Sequence, residues 1–146
     1  MQAQAKWKTF WVVAAAVFAG ACAAHAKDSS AEEAGRIQRG IELASERRFD
    51  EAALEFNEVI KADPGNSEAH FQLGILYYYV KKNKDAAIAE LRNALAASGK
   101  DPDITYNLGY IYAKEGRYDE AIDFYQQTLA LDPNYADAHY SLGIVY

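Results

Sequence analysis

The chain has 146 residues, of which 51% are hydrophobic and 25% are charged, a balance typical of chains that fold around a sizeable core rather than remain disordered. The formal net charge is -6 at pH 7, and Lys and Arg form no cluster, so the surface repels phosphate backbones and anionic lipid headgroups. Nucleic acid is therefore excluded as an expected partner.

The first predicted element is an N-terminal secretory signal peptide over residues 1–26. Two lysines precede an apolar run from Phe10 to Ala24, and Ala24-His25-Ala26 supplies the small residues that favour cleavage before Lys27. The run is shorter than the roughly 20 residues that a spanning helix needs, so no transmembrane span is predicted in the mature chain. The mature protein is expected to be periplasmic or secreted.

A lipoprotein signal over residues 1–21 is the alternative. Phe18-Ala19-Gly20-Ala21-Cys22 resembles a bacterial lipoprotein box, in which Cys22 would be lipidated and would anchor the protein in the envelope. Cys22 is the only cysteine, so the rest of the chain can form neither an internal disulfide nor a thiolate metal cluster. With cleavage before Lys27, the polar residues 27–32 are predicted to be a short linker.

A period of 34 or 35 residues marks the chain from residue 33 onward. Leu73-Gly74, Leu108-Gly109 and Leu142-Gly143 are separated by 35 and 34 residues. Asp63-Pro64 and Asp132-Pro133 lie 69 residues apart, which equals one step of each length. Periods of this size indicate stacked supersecondary units.

The repeated pattern resembles the tetratricopeptide-repeat family, in which Trp-x2-Leu-Gly-x2-Tyr, Ala-x3-Phe and Pro recur within about 34 residues. The unit at residues 102–135 carries Thr105-x2-Leu108-Gly109-x2-Tyr112, Ala121-x3-Tyr125 and Pro133, and departs from the pattern at the leading Trp position. The resemblance implies an all-α fold, an α-solenoid of tetratricopeptide helix-turn-helix repeats over residues 33–146. It would contain about three full repeats, at 33–66, 67–101 and 102–135, and the first helix of a fourth at 136–146.

Short turns are predicted to reverse the chain between paired helices, at Glu115-Gly116-Arg117 and at Lys82-Asn83-Lys84. The unit at residues 67–101 has an extra residue near Val80 to Lys84, so its turn is predicted to be one residue longer. Pro64 and Pro133 are predicted to end second helices, because proline lacks a donor and disfavours helix before it.

The recurring glycine is predicted to mark a close approach of the two helices. Glycine inside a helix costs about 1 kcal/mol relative to alanine, so its return indicates that a Cβ has no room there. The glycines are Gly40, Gly74, Gly109 and Gly143, and the small residues expected opposite them are Ala52, Ala87 and Ala121.

Neither catalysis nor a metal or cofactor site is predicted. His70 and His139 recur at a packing position of the family, and two repeats of its stacking geometry would separate them by roughly 20 Å. Carboxylates at the start of the second helices favour the helix dipole rather than acid-base chemistry: Asp50, Glu51, Asp85, Asp119 and Glu120. The sequence has no P-loop, dinucleotide fingerprint or nucleophile elbow.

The resemblance implies a concave groove, lined by the first helices, in which a partner binds. The predicted binding residues are Phe71, Gln72, Ile75, Tyr78, Asp103, Tyr106, Asn107, Tyr110, Asp137 and Tyr140, and Ile37, Ile41, Glu68 and Ser141 share their face. Chaperone-binding members hold a peptide carboxylate with Lys, Arg and Asn. That clamp is absent, because Ile37, Ile41, Gln72, Asp103 and Asn107 occupy its positions. The alternative is that the tyrosines form core, since 11 Tyr cannot all line a groove.

The expected partner is a protein or peptide segment with apolar anchors and basic flanks, because aromatic rings and carboxylates share the groove face. The predicted function is a non-catalytic scaffold or adaptor for protein-protein interaction in the bacterial cell envelope. The alternative is the N-terminal recruitment module of a longer exported enzyme, with catalysis encoded beyond Tyr146.

The last predicted helix is apolar and has no second-helix partner, since the sequence stops after Leu142, Ile144, Val145 and Tyr146. Terminal repeats of solenoids normally carry a polar cap. The missing cap predicts a truncated reading frame, with self-association through this helix as the alternative.

Overall fold

The structure, a computed structural model, describes residues 29–146. The chain divides after Gly35, and its second unit, Arg36–Tyr146, is compact. The predicted signal peptide and Cys22 lie outside the described residues. Residues 29–32, part of the predicted linker 27–32, are helical instead, and Ala31 and Glu32 are good helix formers.

The described residues contain helices and turns and no strand. The helices are α1 at 29–45, α2 at Phe49–Ala62, α3 at Ser67–Tyr79, α4 at Lys84–Ser98, α5 at Pro102–Lys114, α6 at Tyr118–Leu131 and α7 at Ala136–Val145.

The helices of the second unit pair in chain order, and consecutive pairs stack. α3 packs extensively on α4, and α5 packs extensively on α6. Between pairs, α2 contacts α3, α4 contacts α5, and α7 contacts both α6 and α5. This arrangement confirms the predicted all-α solenoid of helix-turn-helix repeats.

Each connection between paired helices contains one residue with positive φ. The first and third connections cover residues 46–48 and 115–117, with Arg47 at φ 65° and Gly116 at φ 76°. The second covers residues 80–83, with Lys82 at φ 54°, and is one residue longer, as predicted.

The predicted boundaries of two elements can be compared with the structure. Lys84, expected in a turn, is the first residue of α4, because the side chain of Asn83 accepts a hydrogen bond from the Ala86 N–H and caps the helix. Asp63 and Asp132 have extended backbone and end α2 and α6 directly before the two prolines, as predicted.

Two clusters of buried side chains hold the second unit together. One contains Ala52, Phe56, Leu73 and Leu76, and the other is centred on α4, α5 and α6 with Ala87, Leu91, Ala94, Ile104, Leu108, Ile111, Tyr112, Ala121 and Tyr125. The half-buried ring of Tyr77 packs against both clusters. The core therefore runs along the solenoid from one repeat to the next.

Glycine permits close helix packing in three repeats. A Cβ would lie 2.5 Å from the ring of Phe56 at Gly40, 2.9 Å from the side chain of Leu91 at Gly74, and 2.8 Å from the ring of Tyr125 at Gly109. The nearest atoms thus belong to the residue four positions after the predicted alanine. The prediction for Gly143 is wrong: nothing lies within 4 Å of a Cβ there, because α7 has no paired second helix among the described residues.

Candidate protein-binding groove

The candidate groove is formed by the first helices α3, α5 and α7. Contacts between α5 and α7, and a ring contact between Tyr78 of α3 and Tyr110 of α5, place these helices side by side. On α5, Asp103, Tyr106 and Tyr110 recur every three or four residues and therefore share one helix face. The repeat brings the same face of each first helix to the same side of the solenoid.

A continuous row of tyrosine rings crosses this face. The ring of Tyr110 meets Tyr78 edge-on at 6.0 Å between centroids and lies 6.4 Å from Tyr106, whose ring is 5.1 Å from that of Tyr135. All four residues are half-buried. The row therefore offers exposed aromatic surface whose rings hold one another in place.

Other tyrosines belong to the core. The two alternatives that the sequence left open, groove and core, therefore each apply to some of the tyrosines. Tyr112 and Tyr125 are buried, and the ring of Tyr112 stacks on Phe124 at 5.5 Å between centroids. The ring of Tyr125 also lies 5.8 Å from Tyr106. The groove row thus rests directly on the core of the third repeat.

Tyr135 is a groove residue that the sequence did not indicate. Its hydroxyl donates a hydrogen bond to Asp103 Oδ1 at 2.7 Å, across 32 residues of sequence. The ring of the same side chain packs at a tilt against Tyr106, with 5.1 Å between centroids, so Tyr135 contacts one carboxylate and one ring of the groove together. Tyr135 is the N-cap residue of α7, outside the helix positions that the family resemblance could supply.

The groove face is acidic at one edge and basic at the other. Glu68, Asp103 and Asp137 each lie in the first turn of a first helix, so their carboxylates share the edge where α3, α5 and α7 begin. Lys114 is at the other end of α5, roughly 16 Å away along the helix axis. Its Nζ lies 5.2 Å from the ring centroid of Tyr110.

The remaining predicted residues occupy varied positions. Gln72 and Asn107 are half-buried, and their amides donate to the Glu68 carboxylate at 2.7 Å and to the Asp103 carbonyl oxygen at 2.8 Å. Phe71 packs against the larger core cluster. Ile75 and Ser141 are half-buried, Asp137 is exposed, and Tyr140 is 73% exposed. Ile37 packs against the smaller cluster, and Ile41 is exposed.

Three tyrosines of this region, Tyr78, Tyr125 and Tyr135, have raised pKa values, so their hydroxyls are neutral at physiological pH. Burial raises the pKa of Tyr125 to about 12, with a hydrogen bond from Ser141 opposing the shift. Burial, followed by the hydrogen bond and charge of Asp103, raises the pKa of Tyr135. Burial and the neighbouring tyrosines raise the pKa of Tyr78. The charge of the groove therefore comes from its carboxylates and from Lys114.

A cleft of 340 Å³ opens beside the tyrosine row where α5, α6 and α7 meet. Its lining residues are Tyr110, Ala113, Lys114, Tyr118, Tyr125, Ser141, Ile144 and Val145. Tyr110 belongs to both the row and the cleft, so the two surfaces are continuous. Ile144 and Tyr118 are 65% and 54% exposed, and both present apolar surface to solvent.

The histidines differ from each other in their surroundings. His70 is buried, with Nδ1 2.7 Å from Glu90 Oε2 and Nε2 donating to the Pro64 carbonyl oxygen at 3.1 Å. His139 makes the same backbone bond to Pro133 at 2.9 Å but is exposed, contrary to the predicted packing role, because its repeat has no second helix among the described residues.

Residues 29–146 contain no cluster of three or more His, Cys, Asp or Glu side chains that could hold a metal ion. No helix among them is both long and apolar enough to cross a bilayer.

Comparison with known proteins identifies the repeat. A family model described as "Tetratricopeptide repeat" matches residues 37–102, and one described as "TPR repeat" matches residues 109–146. The two matches cover most of the described chain, and each lies within the second unit. The repeats predicted from the sequence are thereby confirmed.

Three solved structures illustrate the similarity. MamA is 33% identical with a TM-score of 0.68, over 73% of this chain and 62% of MamA. A mutant O-GlcNAc transferase of Thermobaculum terrenum is 26% identical with a TM-score of 0.72, over 80% of this chain and 22% of the transferase. The first TPR domain of Spaghetti (RPAP3), bound to the HSP90 peptide SRMEEVD, shares the fold at a TM-score of 0.74 and 21% identity, over 80% of this chain and 91% of that chain.

The matched segments are short parts of longer curated relatives. In the first three of these relatives, the matched segment spans only 25%, 22% and 25% of the protein's length.

Proposed function

This chain belongs to the tetratricopeptide-repeat family, and we propose that it is a non-catalytic protein-binding scaffold that holds a partner segment in the groove of α3, α5 and α7. The observation that carries the proposal is the row of half-buried tyrosine rings, Tyr78, Tyr110, Tyr106 and Tyr135, on the shared face of these helices. Tyrosine offers large apolar contact area at low conformational cost, which suits an interaction surface. Peptide binding by Spaghetti, a protein of the same fold, supports this use of the surface.

The partner segment is proposed to have apolar anchors and basic flanks. Carboxylates at the edge formed by Glu68, Asp103 and Asp137 attract Lys and Arg and disfavour acidic tails. The peptide bound by Spaghetti ends in Glu-Glu-Val-Asp. The clamp with which chaperone-binding relatives hold such a peptide is absent here, because its positions are occupied by Ile37, Ile41, Gln72, Asp103 and Asn107, so an acidic peptide of that kind is not the expected ligand.

A peptide array probed with the purified chain tests this proposal. The best binders should combine apolar residues with flanking Lys or Arg, at micromolar affinity, as is usual for segments that order on binding. Tyr106→Ala should weaken all binders. Asp103→Asn keeps an acceptor for the Tyr135 hydroxyl while removing the charge, so it should weaken basic binders selectively, and Asp103→Lys should abolish them.

The control for the charge change is Asp85→Lys, because Asp85 occupies the first turn of α4, a second helix outside the groove. It changes the net charge, and the interaction of the first turn with the helix dipole, by the same amount as Asp103→Lys. Peptide binding in the groove should be unchanged. Circular dichroism should show each variant to be folded. Selection of acidic C-terminal peptides, or equal effects of Asp85→Lys and Asp103→Lys, would contradict the proposal.

The proposed setting is the bacterial cell envelope. The basic, apolar and small-residue order of residues 1–26 supports export. When the full chain is produced in a bacterial host, mass spectrometry should find a mature N-terminus at Lys27, or an acylated Cys22 if the lipoprotein signal is used. A chain that still begins at Met1 and stays in the cytosol would contradict export.

A second candidate function is the recruitment module of a longer exported enzyme. It is favoured by the transferase of Thermobaculum terrenum, in which the matching segment is 22% of the solved chain. In that case the groove would bring protein substrates to a catalytic domain encoded after Tyr146. The gene sequence downstream of that codon decides between the two: a catalytic domain supports the module, and a stop codon after a capping helix supports the scaffold.

A further inference from the structure

The cleft between α5, α6 and α7 has a counterpart one repeat earlier, at the junction of α3 with α5. The repeat period aligns Tyr78 of α3 with Ala113 of α5, since the two residues are 35 positions apart. In the earlier junction, the ring of Tyr78 meets Tyr110 edge-on at 6.0 Å and Tyr79 at 4.9 Å between centroids. A tyrosine ring therefore occupies the space between the first helices there.

The later junction has no such ring. Ala113 takes the place of Tyr78, and Lys114 takes the place of Tyr79. Across from them on α7, Ile144 aligns with Tyr110 and is 65% exposed. The cleft of 340 Å³ is lined by both Ala113 and Ile144, so it opens where the repeat alignment would place the ring that Tyr78 supplies in the earlier junction.

We infer that this cleft is a subsite for one aromatic side chain of the bound partner, an inference that rests on the proposed function. The incoming ring would lie over Ala113 and against Ile144, in the arrangement that Tyr78 adopts in the earlier junction. Tyr110 forms a wall of the cleft and belongs to the tyrosine row, so a segment lying in the groove can reach the cleft without a break.

The chemistry of the lining favours an aromatic over an aliphatic side chain. The Lys114 ammonium already lies 5.2 Å from the Tyr110 ring centroid and can bind a second ring through its π face. Apolar cavities of about 150 Å³ accept benzene, so this cleft of 340 Å³ has room for a phenol ring. The hydroxyl of a tyrosine would point to solvent at the open side.

Two small probes test the subsite in the full chain. N-acetyl-tyrosinamide should shift the NMR signals of the Ala113 and Ile144 methyl groups with a Kd on the order of 1 mM, the affinity that one buried side chain supports. N-acetyl-leucinamide, the aliphatic probe, should bind at least fivefold more weakly.

Ala113→Tyr should fill the cleft as Tyr78 fills the earlier one, and the tyrosinamide affinity should fall at least tenfold. Its melting temperature should not fall, because the added ring occupies open space. Ala97→Tyr is the matched control, because Ala97 is exposed on α4; it should leave the shifts unchanged. Lys114→Gln, at an exposed position, should reduce the difference in affinity between tyrosinamide and leucinamide. This variant provides a second test if Ala113→Tyr does not fold.

The outcomes separate the subsite from the groove. Unchanged tyrosinamide shifts in folded Ala113→Tyr, or equal binding of both probes to the wild-type chain, would overturn the subsite. If the array peptides still bind and Tyr106→Ala still weakens them, the proposed groove function stands without it. If tyrosinamide binds the cleft as expected but no array peptide binds, the cleft accepts an aromatic ring, but the groove function fails and the assignment of the cleft to a partner side chain fails with it.

Discussion

Gly109 lies where α5 packs closely against α6. A Cβ there would lie 2.8 Å from the ring of Tyr125 and 3.2 Å from the carbonyl oxygen of Ala121. The ring belongs to a buried side chain and the oxygen to the backbone of α6, so neither can move aside freely. Gly109→Ala should therefore destabilise the chain despite the better helix propensity of alanine, and Gly109→Leu should cost roughly 1 to 3 kcal/mol or more.

The measurement is the free energy of unfolding from urea titration. Gly143→Ala is the matched control, because Gly143 occupies the same repeat position in α7 and a Cβ there would meet nothing within 4 Å. That variant should be neutral or more stable by up to about 1 kcal/mol. Equal effects of alanine at the two positions would show that packing against Tyr125 is not the constraint.

Ionisation of the Tyr125 hydroxyl makes the free energy of unfolding depend on pH in the alkaline range. Burial raises the pKa of its hydroxyl to about 12 in the folded chain, above the ordinary value of about 10 for an unfolded tyrosine. The resulting stability is fully present below pH 10 and is lost as the pH rises through 12. Tyr125→Phe, which has no ionisable hydroxyl, should make the decline of unfolding free energy between pH 10 and 12 shallower. An identical pH profile would contradict the role of Tyr125.

At the scale of elements, the three connections between paired helices share one backbone requirement. Each has a residue with positive φ, but only the third uses glycine: Arg47 and Lys82 adopt this conformation in the first and second. A non-glycine residue pays roughly 1 to 2 kcal/mol in the left-handed region. Arg47→Gly should therefore stabilise the chain by about 0.5 to 1 kcal/mol, and Gly116→Ala should destabilise it by a similar amount.

The effects of Arg47→Gly and Gly116→Ala are measured as changes in melting temperature at a fixed pH and salt concentration. Arg47 and Gly116 lie 69 residues apart, at the same position of their repeats. Opposite shifts of melting temperature are expected from the two substitutions. Shifts in the same direction would mean that the side chain of Arg47, rather than its backbone, sets the stability of this connection.

The elements could be predicted from the sequence because the repeats share local signals at one period. Leu-Gly pairs recur in three first helices, a small residue recurs in each second helix, and proline follows two of the second helices. The longer second connection followed from a single extra residue. The groove was harder to predict. Tyr135 joins Asp103 across 32 residues, and a periodic pattern of helix positions does not include a residue at an N-cap.

Other failures of prediction also have a physical cause. Gly143 and His139 repeat the sequence of earlier units, but their surroundings differ because α7 has no paired second helix among the described residues. Sequence periodicity predicts which residues are equivalent, whereas burial depends on which neighbouring helix is present. The cleft at Ala113 has a different origin: the repeat alignment shows that alanine replaces Tyr78, but only the folded chain shows that a cleft opens there.

At the scale of the whole molecule, stability is expected to follow the order of stacking in the second unit. Each helix pair contacts only its neighbours, so the effects of substitution should spread to adjacent pairs and no further. α5 has six buried residues, whereas α7 has one, Ala138. The backbone amides of α7 should therefore exchange with solvent faster than those of α5, because local opening exposes less apolar surface.

Two matched substitutions test this coupling by hydrogen exchange with mass spectrometry. Ala138→Gly and Ala87→Gly each replace a fully buried helical alanine and should cost about 1 kcal/mol locally. Ala138→Gly should speed exchange in α7 and leave α3 unchanged, since those helices share no packing contact. Ala87→Gly should speed exchange in both α3 and α5, because α4 packs against both. Faster exchange throughout α3 in Ala138→Gly would show that the repeats open as one cooperative body rather than as coupled neighbours.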